Sequence, residues 1–96
     1  MQTYILLMKL TDQGARDIKN APARAAEAMK KFESLGGKVI GLYLVTGDYD
    51  YVAIGEAPSD EVAVSYAMWL ASQGNVTTAT LRAFTVDQIA AMVRTL

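Results

Sequence analysis

The chain has 96 residues, of which 52% are hydrophobic and 20% charged, with a formal net charge of −1. It contains no cysteine and no histidine, which excludes disulfides, thiolate nucleophiles, zinc–thiolate sites and the usual general base near neutral pH. This composition predicts a single globular domain over residues 1–96, and a domain of this size buries only about 60–65% of the surface that its unfolded chain exposes.

Charge is distributed unevenly along the chain. Residues 1–38 carry seven Lys/Arg and four Asp/Glu, whereas residues 39–96 carry two and six. In one small domain this asymmetry indicates a solvated basic helix face, and it does not favour nucleic-acid binding. No apolar run reaches the roughly 20 residues that cross a bilayer, and the first residues do not resemble a signal peptide, so we expect no membrane association and a cytoplasmic location.

The first predicted element is a strand over residues 2–10, which is apolar at both parities. A strand with one wet face alternates cleanly, so this strand is predicted to be covered on both faces. Residues 11–14 have turn chemistry, and the segment that follows them reads as loop or a single helical turn. A helix is then predicted from Asn20, its N-cap, with Pro22 in the first turn. It ends at the glycine pair 36–37.

A hairpin is predicted next. Residues 38–46 form its first strand, interrupted by Gly41, which predicts a bulge or a close backbone approach. Residues 47–48 (Gly-Asp) suit a two-residue turn, and residues 49–56 then form the third strand.

The assumed turn fixes the pairing of the hairpin. It places Leu44 opposite Tyr51 and Tyr43 opposite Val52, and paired residues share a face of the sheet. Asp50 then points into an otherwise apolar face near Tyr43, and a register slip of one residue would reverse every assignment. Asp50 is therefore the most polar anomaly of the predicted core.

A second long helix is predicted from its cap Ser59 to residues 74–75, with Trp69 on its apolar side. Core packing is favoured over a ligand platform for Trp69. The fourth strand covers residues 76–84, and its threonines suit an edge strand on which Arg82 is partly solvated.

The last predicted element is a C-terminal helix that begins at residues 85–88, which resemble a capping box. Its apolar residues recur at helical spacing and form one stripe: Val86, Ile89, Ala90, Val93 and Leu96. Such a stripe must dock on its own domain or on a neighbour.

The element order strand, helix, strand, strand, helix, strand is the split βαβ pattern of the α+β ferredoxin-like fold. Right-handed crossovers put both main helices on one face of an antiparallel sheet with strand order 4-1-3-2. The apolar residues on the other face predict sheet-to-sheet association into a homo-oligomer.

The sequence strongly resembles the GYD domain family, small bacterial and archaeal proteins of the dimeric α/β barrel group. One departure is Asp48, which adds a second carboxylate beside Asp50 in the motif Gly-Asp-Tyr-Asp. The resemblance covers nearly the whole chain and is carried by these residues: Tyr4, Leu6, Leu7, Thr11-Asp12-Gln13-Gly14, Gly36-Gly37-Lys38, Gly47, Tyr49-Asp50, Val52-Ala53-Ile54, Glu56-Ala57-Pro58, Gly74-Asn75-Val76 and Thr80-Leu81-Arg82-Ala83-Phe84-Thr85.

The resemblance supports the fold and the association and implies no particular activity. Enzymes of the wider barrel group bind small organic molecules between sheet and helices, but this link is an analogy of fold. The two-sided apolar sheet and the absence of histidine and cysteine favour a non-enzymatic, self-associating module that binds a small molecule or assists other proteins.

The alternative is a cofactor-independent enzyme, resembling a monooxygenase or an isomerase, that acts on a small aromatic or enolisable compound. In it Asp50 is the candidate base, Tyr43 or Tyr51 donates a hydrogen bond, and Arg82 stabilises an anion. The predicted ligand-binding set therefore consists of Tyr43, Asp50, Tyr51, Trp69 and Arg82. A structural role is favoured for Asp50, a carboxylate partner for Arg82, and no metal or cofactor is expected.

Overall fold

A computed structural model describes residues 1–96 and contains four strands in one antiparallel sheet. The sheet order β2-β3-β1-β4 is the predicted one, and the α+β ferredoxin-like topology is confirmed. The elements are β1 (Gln2–Leu10), α1 (Asp12–Arg16), a 3₁₀ turn (Ile18–Asn20), α2 (Ala21–Ser34), β2 (Lys38–Leu44), β3 (Tyr51–Ala57), α3 (Asp60–Gln73), β4 (Val76–Ala83) and α4 (Val86–Val93).

The helix ends follow the capping chemistry of the sequence with one exception. The Ser59 hydroxyl accepts the Val62 N–H at the start of α3, and Gly74 ends that helix in the left-handed region with φ +79°. Asn20 precedes α2 as predicted, but its side chain does not cap the helix. Instead its amide donates to the Asp17 carboxylate over 2.6 Å, because that acceptor lies one turn earlier, at the N-cap of the 3₁₀ segment.

The core lies between the sheet and the helices α2 and α3. Strand β1 is the middle of the sheet and pairs with β3 on one side and with β4 on the other. Its alternate residues Tyr4, Leu6 and Met8 point to the helices and are buried. The complete set of buried apolar residues is small: Tyr4, Leu6, Met8, Phe32, Ala57, Ala63, Tyr66 and Leu70.

The opposite face of the sheet, hereafter the outer face, is also apolar. Ile5 pairs with Ile54 and Leu81, so these three side chains lie together. The next row along the strands is apolar as well, and the edge residue Leu81 is 46% exposed in the single chain. The apolar residues that the register assigns to this face are Ile5, Leu7, Tyr43, Val52, Ile54, Ala79 and Leu81.

The hairpin has the predicted register but a different turn. Leu44 pairs with Tyr51 and Tyr43 with Val52, as the sequence predicts. The two-residue turn is wrong, because β2 ends at Leu44 and residues 45–50 form a loop in which Val45 N–H donates to Asp50 C=O over 2.9 Å.

Asp50 accounts for the longer loop. Its N–H donates to the Met8 C=O over 2.8 Å, and its carboxylate accepts the Leu10 N–H over 2.8 Å. These bonds attach Asp50 to the end of β1, so it lies outside β3 and does not point into an apolar sheet face. The predicted placement of Asp50 in the core is therefore wrong.

The predicted bulge at Gly41 is confirmed. The register between β2 and β3 shifts between Val39 and Gly41. A Cβ atom at position 41 would lie 2.7 Å from the ring of Tyr43, so the glycine gives that ring its place against the backbone.

Helix α4 begins with the predicted capping box, in which Thr85 and Gln88 exchange hydrogen bonds of 2.7 and 3.2 Å. No residue of the helix is buried. Val86 is 79% and Ile89 48% exposed, so the apolar stripe does not dock on its own domain. The radius of gyration is 14.5 Å, against about 12.5 Å for a compact chain of this length.

We expect Gly14→Ala to lower the free energy of unfolding by about 2 kcal/mol or more. A Cβ atom at this buried position would lie 2.1 Å from the backbone oxygen of Asn75, which cannot move aside without breaking its bond to Thr11 N–H. Urea unfolding followed by circular dichroism measures the change. The control is Gly47→Ala, which has a positive φ but no neighbour within 4 Å and should cost less. Equal losses in the two variants would contradict the close packing of Gly14.

Candidate functional site

The most enclosed space in the molecule is a cleft between the helix-covered face of the sheet and the helices α2 and α3. Its volume is about 150 Å³, and 19 of its 24 lining residues are hydrophobic. The lining residues that come from the strands and from both helices include Tyr4, Leu6, Met8, Ala25, Ala28, Met29, Phe32, Val39, Leu42, Tyr51, Ala53, Ala63, Tyr66, Trp69, Leu70 and Val76.

Aromatic rings form the wall of the cleft on the side of α3. Tyr66 stacks on Trp69 at 6.1 Å between ring centroids and tilts against Phe32 at 4.8 Å. The Lys31 ammonium lies 5.9 Å from the centroid of Trp69, within the range of a cation–π contact. The charged residues that line the cleft itself are Arg24 and Glu27, both from α2.

The Tyr66 hydroxyl ties the two helices together. It donates to the Ala28 C=O of α2 over 2.9 Å. Burial raises the pKa of Tyr66 to about 12, so the hydroxyl stays protonated and remains a donor at neutral pH.

The structure does not bring the predicted ligand-binding set together. Tyr51 and Trp69 line the cleft, whereas Tyr43, Asp50 and Arg82 do not. Tyr43 belongs to the outer face, and Asp50 is bonded to the end of β1. The predicted role of Asp50 as a base would need the substrate to bind outside this cleft.

Arg82 belongs to a polar cluster at the other end of β1. Its Nε lies 3.9 Å from the Asp60 carboxylate, and its guanidinium lies over the rings of Tyr4 and Phe84 at 5.5 and 4.6 Å. The Tyr4 hydroxyl donates to Asp60. Burial raises the pKa of Tyr4, and the hydrogen bond to Asp60 and its charge add to this effect. The cluster joins β1, α3 and β4, and its arginine already has a carboxylate neighbour.

A second apolar depression lies beside the cleft and opens to solvent at the edge strand β2. We refer to it as the α2–β2 groove. Six of its seven lining residues are hydrophobic. The whole lining consists of Ile18, Ala21, Pro22, Ala25, Leu42, Leu44 and Tyr51. The groove and the cleft share four of these residues, so together they form one continuous apolar surface.

Sequence reasoning missed the part that Tyr4, Phe32 and Tyr66 play in the cleft. The signal was present, because Tyr66 and Trp69 are three residues apart on one helix and Phe32 lies in the stripe of the other. Helical spacing alone does not show whether such rings fill a core or line a space. No group of three acidic side chains lies together, and none of the helices has the length and apolarity that a bilayer span requires.

The fold and the cleft define the class of this protein as a ferredoxin-like α+β domain with an apolar space between its sheet and its helices. The chain belongs to the GYD domain family, whose model matches residues 4–93. A relative from Thermus thermophilus, named "Glutamine synthetase and cystathionine beta-lyase binding protein", is 36% identical over 95 residues. The match covers 98% of this chain and 100% of the relative.

Solved structures share the fold. The chain is similar to TTHA0845 from Thermus thermophilus, with a TM-score of 0.59 and 25% identity over 90% of this chain and 96% of that one. It is also similar to the hypothetical protein PHS023 from Pyrococcus horikoshii, with a TM-score of 0.58 and 20% identity over 88% and 92% of the two chains.

We expect Tyr66→Phe to destabilise the protein at pH 8 by about 1 kcal/mol, because it removes the hydrogen bond to Ala28. This difference should shrink and reverse as the pH rises from about 10 to about 12. The raised pKa of Tyr66 means that the folded state resists ionisation, so its contribution to stability is complete below pH 10 and is lost above it. A shift of two pKa units corresponds to about 2.7 kcal/mol.

Urea unfolding of both proteins at several pH values measures this dependence. All other titrating groups, including Tyr4, are common to the two proteins and cancel in the difference between them. A difference that stays constant up to pH 12 would contradict the burial of the Tyr66 hydroxyl.

Proposed function

We propose that this protein is a non-enzymatic, self-associating accessory module that binds other proteins. The observation that carries the proposal is the apolar surface that one copy leaves uncovered on the outer face and along α4. A domain this small has a small core and gains stability when more apolar surface is buried against another chain. Contiguous exposed apolar surface on a soluble domain marks an interaction site.

Self-association through the outer face is supported by the central position of β1. Its residues Ile5 and Leu7 are apolar and lie in the middle of a sheet face without a covering layer. Central strands with apolar residues on both sides are normally covered on both faces. A second copy that presents the same face supplies that layer, with the sheets about 10 Å apart.

The relative from Thermus thermophilus supports binding to other proteins. Its name gives glutamine synthetase and cystathionine beta-lyase as its partners, and it matches this chain from end to end. We therefore propose enzymes of these two kinds as the partners of this chain. They would be bound through surface that remains free after self-association.

A small apolar ligand in the cleft is a second candidate function. The cleft has the apolar lining and the few polar groups that are typical of ligand sites, but its volume of about 150 Å³ is below the usual 300–1,000 Å³. It would thus accept a small ligand that lies against Tyr51 and Trp69.

The enzyme alternative receives less support. The carboxylate of Asp50 accepts the Leu10 N–H, a bond that holds the loop to β1. Asp50 does not line the cleft, and Arg82 lies beside Asp60. The candidate base Asp50 and the anion-stabilising Arg82 therefore lie at opposite ends of β1 in one copy of the chain.

We expect the wild-type protein to be a dimer or a larger oligomer at micromolar concentration, and Leu81→Lys to shift it to a monomer. The new charge would lie on the outer face, where association would have to desolvate it. Light scattering coupled to size-exclusion chromatography measures the mass. The control Val64→Lys places the same charge on an apolar residue of α3 that is 53% exposed and outside the outer face, and it should leave the mass unchanged. A monomeric wild-type protein would rule out self-association.

We expect the purified protein to bind the glutamine synthetase or the cystathionine beta-lyase of its own organism. The complex should be visible by biolayer interferometry with a Kd below about 10 μM. An unrelated enzyme of similar size and charge serves as the control. Absence of binding to both enzymes at about 100 μM would refute these partners while leaving self-association intact.

A further inference from the structure

We propose that α4 of one copy lies in the α2–β2 groove of a second copy, so that two copies exchange their C-terminal helices. The inference deepens the proposed self-association and rests on it. It joins two apolar features that a single copy leaves open, the stripe of α4 and the groove at the edge strand β2.

The groove and the helix are chemically matched. Leu44 at the mouth of the groove is 73% exposed, and Ile18 and Pro22 face solvent beside it. The stripe of α4 presents aliphatic side chains at helical spacing, and the charged residues Asp87 and Arg94 lie off the stripe on the helix surface. An amphipathic helix in an apolar groove is a recurring mode of recognition, with anchors spaced as in this stripe.

The helix cannot fill the groove of its own chain. Ala83, the last residue of β4, lies in the row of Thr3, whereas Leu44 lies in the row of Met8, five residues further along β1. Three strand spacings separate β4 from β2, so the two points are about 22 Å apart.

The connection and the first turn of α4 together are too short for this distance. Only Phe84 and Thr85 separate Ala83 from Val86, and three Cα–Cα steps span at most about 11 Å. The four helical steps from Val86 to Ala90 add about 6 Å, so the middle of the stripe reaches at most about 17 Å from Ala83. The capping box fixes the start of the helix at Thr85. On the helix side, α3 packs against β4 and lies between that strand and α2. The groove must therefore receive its helix from another chain.

With a second copy as the occupant, the α4 helix of each copy fills the groove of the other. The helix and the groove lie at opposite corners of the same sheet. Two copies can place their outer faces against each other around a twofold axis. If this axis lies between the two sheets and perpendicular to the diagonal that joins the two corners, each α4 lies beneath the corner of the other copy that carries the groove. The sheets are then about 10 Å apart, which the two-residue connection spans before α4 passes the edge of β2. Such an exchange is reciprocal and closed, as is usual for dimers.

The area that a stable dimer buries also favours a second copy as the occupant of the groove. Four strands, each about seven residues long, give the outer face a footprint of about 19 by 23 Å, or about 450 Å². Stable interfaces bury about 800 Å² on each partner. This flat footprint understates the accessible surface that the outer face buries, and the exchange adds one helix and one groove on each copy to it.

The exchange also changes the cleft. The groove shares Ala25, Leu42 and Tyr51 with the cleft, so a helix seated in the groove covers the open side of the cleft. The dimer then has two apolar sites, each completed by the C-terminal helix of the other copy.

Cysteine cross-linking tests the placement directly, because the chain contains no cysteine of its own. One copy carries Ile89→Cys and a differently tagged copy carries Leu44→Cys. After mixing, exchange of subunits and mild oxidation, we expect a disulfide between the two tagged chains, identified by mass spectrometry. Since each chain has one cysteine, this product cannot arise within a chain. The control replaces Ile89→Cys by Ala91→Cys, which lies on the opposite side of α4 and should give at least fivefold less cross-linked product.

A matched pair of substitutions tests the contribution of the stripe to association. Ala90→Glu places a charge on the stripe, and Ala91→Glu places the same charge on the exposed side of the same helix. We expect Ala90→Glu to raise the Kd of the dimer at least tenfold and Ala91→Glu to leave it within twofold of the wild type. Sedimentation equilibrium measures both values.

The outcomes separate the two proposals. A wild-type monomer overturns self-association and the exchange together. A wild-type dimer that is sensitive to Leu81→Lys but gives no Ile89–Leu44 cross-link, and that tolerates Ala90→Glu, overturns the exchange alone. A dimer that tolerates Ala90→Glu while this variant loses its binding to glutamine synthetase or cystathionine beta-lyase assigns α4 to the partner enzyme and also overturns the exchange.

Discussion

The structure depends on the central strand β1, which has neighbours on both edges and apolar side chains on both faces. Its hydrogen bonds are satisfied by β3 and β4, and Tyr4, Leu6 and Met8 are covered by α2 and α3. Right-handed crossovers place both helices on the same side, so they cannot cover Ile5 and Leu7 as well. One copy therefore covers only one of the two apolar faces of β1.

The position of β1 also explains the polar contacts at the two ends of the sheet. At one end Asp50 accepts the N–H of Leu10, where the strand leaves the sheet. At the other end Tyr4 donates to Asp60, and Arg82 lies beside both. Each of these polar side chains bonds to β1 or to its immediate neighbours. They are better understood as attachments of the central strand than as members of one reactive centre.

Much of the fold could be predicted from local patterns. Helical stripes, caps and strand alternation are encoded within a few residues, and the chirality of crossovers then determines the order of the strands. The assumed two-residue turn predicts the observed register of the hairpin, because the loop over residues 45–50 has the same centre, as the pairs of Tyr43 and Leu44 show. The length of the loop could not be predicted, because Asp50 bonds to Met8 and Leu10, about forty residues away in the sequence. Turn rules consider only neighbouring residues and cannot include such a competitor.

The candidate site was less predictable for a related reason. Tyr51 and Trp69, two members of the predicted ligand-binding set, both line the cleft. Tyr43 pairs one position away from Tyr51 and is thereby on the opposite face of the sheet. Whether Tyr66 and Phe32 fill a core or border a space depends on how far apart the helices lie. That distance is set by packing across the whole domain, and no spacing within one helix encodes it.

The pairing of β1 with β4 has a consequence for the synthesis of the protein. Thr3 pairs with Ala83, so β1 obtains its second neighbour only after the 80 residues that follow Thr3 have been made. Until then β1 has an open edge with apolar residues on both faces, a condition that invites pairing with other chains. The β2–β3 hairpin, by contrast, can close as soon as it emerges. Late closure by the C-terminal strand makes the nascent chain, rather than the finished domain, the species most in need of protection by chaperones.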